Sequence, residues 1–310
     1  MGTLLLVLAL QGAPPRQAPL PDRATLLAQA NDALQRGNRA EAKQLLGKAA
    51  ERYQSVRALL QLARLEAADG RTAEAMRALT AARALAPNAE EVLVAFAGLS
   101  LRIHAPVPAI LALESLTRMY PSEPRHAYLL GVGLMTAGDV PAAIDVLRKA
   151  NTLEPDRPLT LLALGLAYNN QKLFTDSRPL LRRALDLDPA SVEILAALSE
   201  AEAGEGDMIA AERDASRAMT RDPSNATANF VVGMVRMSQQ RYAEARDALI
   251  TAAAADPLSP KADYQLSLVY ARMGDPASSE RHLNQYREKL RALEATLKAL
   301  HDTGSGGVIK

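Results

Sequence analysis

Histidine, the commonest metal ligand and general base, occurs at four positions: His104, His126, His282 and His301. No two stand four residues apart, the spacing that sets two imidazoles on one helical face for zinc. They read as surface or turn residues. Gly131-Val132-Gly133 has the look of a phosphate-binding loop, but it falls inside a helix-length apolar pattern with no strand before it. Gly304-Ser305-Gly306 lacks the strand-to-helix turn that exposes a nucleophilic serine. The chain has no cysteine, which removes disulfides, thiolate metal sites and cysteine nucleophiles. Asn225-Ala226-Thr227 fits a glycosylation sequon, which carries no meaning in a bacterial protein. No catalytic residue, cofactor, metal or small-molecule substrate is expected, and the chain is read as non-enzymatic.

Composition narrows the classes further. With 36 basic and 35 acidic residues, the charge balance gives no electrostatic case for nucleic acid. The carboxylates are spread among basic residues as solvated helix faces. The apolar fraction is 48% but aromatics make up only 4%, and tryptophan is absent. That profile suits a core of Ala and Leu shared among many helices.

The elements that carry these residues recur. Pro87, Pro121, Pro155, Pro189, Pro223 and Pro257 are spaced by 34 residues. Five successive hits in register have a chance on the order of 10⁻⁶, and this period marks a helix–turn–helix array. Twenty-four residues before each proline stands a small residue: Ala63, Ala97, Gly131, Gly165, Ser199 and Gly233. Twelve before it stands another: Ala75, Ala109, Ala143, Ser177, Ala211 and Ala245. Small side chains let two helix axes approach, while Leu130, Leu164, Leu147 and Leu181 and their equivalents fill the groove alongside. Gly70, Gly138, Gly206 and Gly274 supply the permissive backbone that ends the first helix of a pair. His104, Lys172 and Gln240 replace glycine in alternate units, so those turns are expected to be built differently.

This period, the small–small spacing, the Gly-Asp turns and the closing prolines resemble the tetratricopeptide repeat family. Gly165 with Tyr168, and Ala184 with Pro189, match its pattern, as do Gly131, Ala143, Ala150 and Pro155. The likeness runs from Asp22 to Tyr286. It departs at Pro106 and Pro108, which open a helix, and at Glu66, Ser100, Glu202 and Arg236, where the family usually has an aromatic. The implied fold is all-α: a right-handed α-solenoid of about eight helix–turn–helix units over 22–286, with a long C-terminal capping helix.

The resemblance also implies that the first helix of each unit lines a groove that holds extended or helical segments of other proteins. Projected onto this chain, the groove residues are Tyr128, Val132 and Met135; Leu162, Leu166, Asn169 and Asn170; Phe230, Met234 and Met237; and Tyr264, Leu268 and Arg272. An apolar strip with adaptable methionines suits an amphipathic partner, and Asn169 and Asn170 would hold a peptide backbone. Glu193 and Glu200 interrupt the strip and are expected to meet a basic residue of the ligand. The Lys/Asn set with which some relatives clamp a terminal carboxylate is not evident.

Both ends fall outside the pattern. Thr3 to Leu10 within residues 1–21 resembles a signal-peptide core, with cleavage after Ala13, followed by a linker of Pro14, Pro15, Pro19 and Pro21. A periplasmic or secreted protein is expected. The lack of Lys or Arg before the run, and Gln11 where a small residue is usual, keep a cytoplasmic location as the alternative. At the other end, Leu283, Tyr286, Leu290, Leu293, Leu297 and Leu300 alternate at steps of three and four. They predict a capping extension over 287–301, or a homodimer seam across 283–300, before a flexible tail over 302–310. The expected function is a scaffold or assembly factor that binds protein segments. The alternatives are the substrate-recruiting part of a glycosyltransferase-type or other enzyme complex, and a structural protein that self-associates through its last helix.

Overall fold

The computed structural model describes residues 21–305. The signal-like stretch and nearly all of its linker lie outside the described residues, as do residues 306–310 of the tail. Chain contacts divide the protein into residues 1–87 and 88–310. Pro87 keeps the same register as the later closing prolines, so periodicity does not announce this division.

The first unit holds two helix pairs: α1 (Arg23–Gln35) with α2 (Arg39–Tyr53), and α3 (Val56–Ala68) with α4 (Thr72–Leu85). Asp22, Asn38 and Ser55 cap the first three by accepting from the backbone N–H of Thr25, Glu41 and Ala58, which satisfies donors that a helix start leaves orphaned.

The second unit holds six pairs: α5 (Glu90–Arg102) with α6 (Pro106–Met119), α7 (Pro124–Thr136) with α8 (Val140–Leu153), and α9 (Pro158–Asn170) with α10 (Phe174–Leu187). They are followed by α11 (Val192–Gly204) with α12 (Met208–Arg221), α13 (Ala226–Ser238) with α14 (Tyr242–Ala255), and α15 (Lys261–Arg272) with α16 (Pro276–Ser305). No described residue is in a strand. Pro106 and Pro124 sit in the first turns of α6 and α7, where a missing N–H costs nothing. The helix α16 runs to Ser305, four residues beyond the expected end of the extension at 301. No helix of the described residues is long and apolar enough to cross a membrane.

The small columns bring paired helices together. A Cβ added to Gly131, Gly165 or Gly233 would lie 2.5 Å from Cγ of Leu147, Leu181 or Leu249 respectively, closer than carbon atoms tolerate. The second column joins in: the Ser177 hydroxyl donates to the Gly165 carbonyl at 2.8 Å, and Ser279 does the same to Ser267.

The glycine-free turns correct one expectation. His104, Lys172 and Gln240 take left-handed φ values of 55°, 59° and 62°, beside 73° at Gly70 and 82° at Gly138. The same closing bond follows each: Ala105 N to Ser100 O, Leu173 N to Tyr168 O and Arg241 N to Arg236 O, as Arg71 N to Glu66 O after Gly70. These turns are built alike, because the hydrogen-bonded geometry of the hairpin dictates the backbone and overrides the cost to a residue with a Cβ.

Three of the four positions without the family aromatic carry ion pairs, while the fourth, Ser100, is buried with no partner for its hydroxyl. Within the first unit Glu66 meets Lys43 of α2 at 2.9 Å and Arg71 at 2.7 Å. In the second, Glu202 meets Arg182 of α10 at 2.5 Å, and Arg236 meets Glu212 of α12. Charge here joins one helix pair to the next.

Candidate partner-binding face

Within the second unit, successive odd-numbered helices touch one another from α7 through α15, as well as packing on their even-numbered partners. The even helices α8, α10, α12 and α14 are not drawn together in this way. A stack whose odd helices crowd while its even helices spread bends with the odd helices inside. The inner face is therefore built from α7, α9, α11, α13 and α15.

On α7, Tyr128, Val132 and Met135 are half-buried. Tyr128 and Met135 lean on the cluster of Leu147, Leu164 and Tyr168, and the Arg157 guanidinium lies 5.6 Å from the Tyr128 ring centre. On α9, Leu162 and Leu166 are half-buried against the cluster around Leu195 and Leu198, which also receives Phe230 and Met234 of α13. Phe230 and Met237 lie against the next cluster, around Leu249 and Leu266. On α15, Tyr264 and Leu268 are 42% and 37% exposed, and Arg272 is exposed. The Tyr264 ring rests 5.2 Å from that of Tyr286 on α16.

Two expectations change here. Asn169 is only 5% exposed, and its amide donates to the Ala197 carbonyl of α11 at 2.8 Å. It ties two inner helices together, while its neighbour Asn170 is exposed. Glu200 already has a cation from its own chain, Lys261 Nζ at 2.6 Å, reaching across from α15. Sequence reasoning also missed Leu159, which is 52% exposed at the start of α9. Its place one turn before Leu162 was the available signal.

The strongest electrostatic feature lies at the joint of α10, α11 and α12. Glu202 and Asp214 are both fully buried side chains. Asp214 accepts from Arg213 and Arg217 at 2.8 Å. Burial works to raise its carboxyl, but those two guanidiniums prevail and hold it below the usual range. Glu202 goes the other way: burial first, then the neighbouring Asp214 charge, raise it to about 7 against the pull of Arg182, Arg178 and Arg213. Its Oε2 has no hydrogen-bond partner. Among the described residues no group of three or more His, Asp or Glu side chains is placed to hold a metal.

A family model described as Tetratricopeptide repeat matches residues 27–90, 109–158, 161–226, 197–260 and 230–293. A solved tetratricopeptide repeat protein from Parabacteroides merdae superposes with a TM-score of 0.65 at 15% identity, over 80% of this chain and 98% of its own. The human IFIT1 dimer with PPP-AAAA gives 0.57 at 16% identity, over 87% of this chain and 69% of its own. At such identities the likeness is one of fold. No curated protein matches the chain.

Proposed function

Because the chain belongs to the tetratricopeptide repeat family, we propose that it is a non-enzymatic scaffold or assembly factor whose second unit holds a segment of another protein on its inner face. The observation that carries this reading is the set Tyr128, Leu162, Leu166, Phe230, Met234 and Tyr264 on the inner helices α7, α9, α13 and α15, none of them fully buried and interrupted at α11 by Glu193 and Glu200. Large apolar and aromatic side chains left accessible on one surface favour a partner helix or strand with an apolar side. Methionines at 234 and 237 let that surface adjust its shape. For a polyanion such as the PPP-AAAA held by the IFIT1 dimer, the face offers Arg272 as an exposed cation. Its Lys261 is paired to Glu200, and Arg157 is engaged with Glu154 and Tyr128.

The Thr3–Leu10 stretch supports export as part of the same reading. N-terminal sequencing of the mature protein should then begin at Pro14; a start at Met1 would return the chain to the cytoplasm. The groove itself is tested by partner capture with Tyr264→Ala and Leu268→Ala combined. Both side chains are well exposed, so the fold should stand while capture falls. Capture equal to that of the parent protein would reject the assignment.

A further inference from the structure

A recess of about 80 Å³ lies where the inner helices α11, α13 and α15 meet the end of α14, walled by Glu200, Thr227, Phe230, Asp256, Ser259 and Lys261. Alanines 226, 252 and 262 complete its lining and keep it from being filled. Small-molecule sites occupy roughly 300–1,000 Å³, so this recess has the scale of one side-chain head. Its chemistry is uneven. Glu200 is paired with Lys261, and Asp256, exposed and accepting from the Ser259 N–H at 3.2 Å, adds a second carboxylate to the lining, so the lining carries one negative charge in excess. Phe230 offers an aromatic surface beside them, and an aromatic face attracts cations.

We propose that this recess is the pocket in which the bound segment lodges an arginine side chain. The inference rests on the inner-face reading and names the partner residue that the face selects. A carboxylate or phosphate would be repelled by Glu200 and Asp256. A neutral apolar group would bury those carboxylates without a counter-charge. A guanidinium matches both needs, because it is planar, is weakly hydrated, stacks on aromatic rings and forks onto carboxylates. Lysine gains less from the ring and is harder to desolvate.

Lys261 acts as the resident cation. Its side chain is 57% exposed while that of Glu200 is 17% exposed, and an ion pair with one partner in solvent is weak. An incoming guanidinium can therefore take over Glu200 while Lys261 turns into water. Glu200 stands on α11 and Lys261 at the start of α15, with α13 between them. The exchange would thus replace an internal link across three inner helices with a link to the partner.

The test uses the whole protein and two probes that differ only in charge, N-acetyl-argininamide and N-acetyl-citrullinamide. Both are followed by backbone amide shifts of Thr227, Phe230 and Ala262. The arginine probe should saturate at a concentration about tenfold below the citrulline probe, a difference worth ~1.4 kcal/mol. Lys261→Met should tighten the arginine probe several-fold, and Glu200→Gln should bring it to the level of citrulline. Circular dichroism of both variants checks that the fold is kept. Equal midpoints for the two probes, no saturable shift with either, or midpoints indifferent to Lys261→Met and Glu200→Gln would overturn the pocket. Tyr264 and Leu268 do not line the recess, so loss of partner capture in their double variant alongside an inert arginine probe would sink the pocket and spare the groove.

Discussion

Cγ of Leu181 stands 2.5 Å from where a Cβ on Gly165 would sit, and Leu181 itself is fully buried. The same relationship joins Gly131 to Leu147 and Gly233 to Leu249. In the sixth pair, Ser199 takes the glycine position and Ala215 the leucine position, so bulk has moved to the other side of the joint. One added methyl at Gly165 has nowhere to go unless Leu181 shrinks.

Gly165→Ala should therefore lower stability by about 1–3 kcal/mol. In a Leu181→Ala background the same change should cost nearly nothing, because the removed isobutyl group leaves room. Chemical denaturation of the four proteins in the cycle measures the coupling. An equal cost in both backgrounds would mean that the two residues do not compete for space.

Lys172 is exposed and takes a left-handed φ of 59° in a turn that elsewhere carries glycine. Lys172→Gly should raise stability by about 0.5–1 kcal/mol, the relief of the Cβ clash less the extra freedom of glycine in the unfolded chain. The reverse change, Gly138→Lys at φ 82°, should cost about 1–2 kcal/mol. Melting curves of the two variants should move in opposite directions.

Glu202 holds its proton more tightly in the folded protein, at about 7, than at its ordinary value of 4.5. The folded state then binds more protons, so this residue's contribution is full below pH 4.5 and is lost as pH climbs through 7. The parent protein should lose about 1–3 kcal/mol between pH 5 and pH 8 that Glu202→Gln keeps. Asp214 behaves oppositely. Its lowered carboxyl stabilises the fold above the ordinary range near 3.8 and gives that up in acid. Thermal melts of Glu202→Gln across pH 4–9 check the first effect; a variant that loses stability in parallel with the parent would refute it.

The last helix, α16, packs on α15 and also touches α6. Leu283, Tyr286 and Leu290 are half-buried while Leu293 is 46% exposed. Leu290→Glu should lower the melting temperature by several degrees, with a monomer mass by light scattering before and after. A dimer that this change converts to a folded monomer would make the helix a seam between two copies.

Much of this architecture is legible in the residue pattern, because stacked hairpins reuse the same contacts every 34 positions. Gly131, Gly165 and Gly233 declare their closeness to a facing helix by being small in a fixed column. What periodicity cannot report is a dihedral angle, so His104, Lys172 and Gln240 look like breaks in the turn although the backbone there is unchanged. Nor can it rank two contacts for one side chain. Asn169 lies at the border between the inner face and the neighbouring helix, and a hydrogen bond to Ala197 decides the matter. Glu66, Glu202 and Arg236 stand out as departures from pattern. Their partners Lys43, Arg182 and Glu212 sit 20–24 residues earlier, a spacing that becomes meaningful once the hairpins are known to stack. The bridge from Glu200 to Lys261 spans 61 residues and leaves no local trace.

A bound partner should lie along the inner helices of the second unit. Photo-crosslinking side chains placed at Leu166 and Leu268, on α9 and α15, and at Ile209 on α12, which is 86% exposed, test it most directly. Mass spectrometry of the captured partner should map one continuous segment to the first two positions and none of it to Ile209. Crosslinks concentrated at Ile209, or scattered without a common segment, would contradict the account.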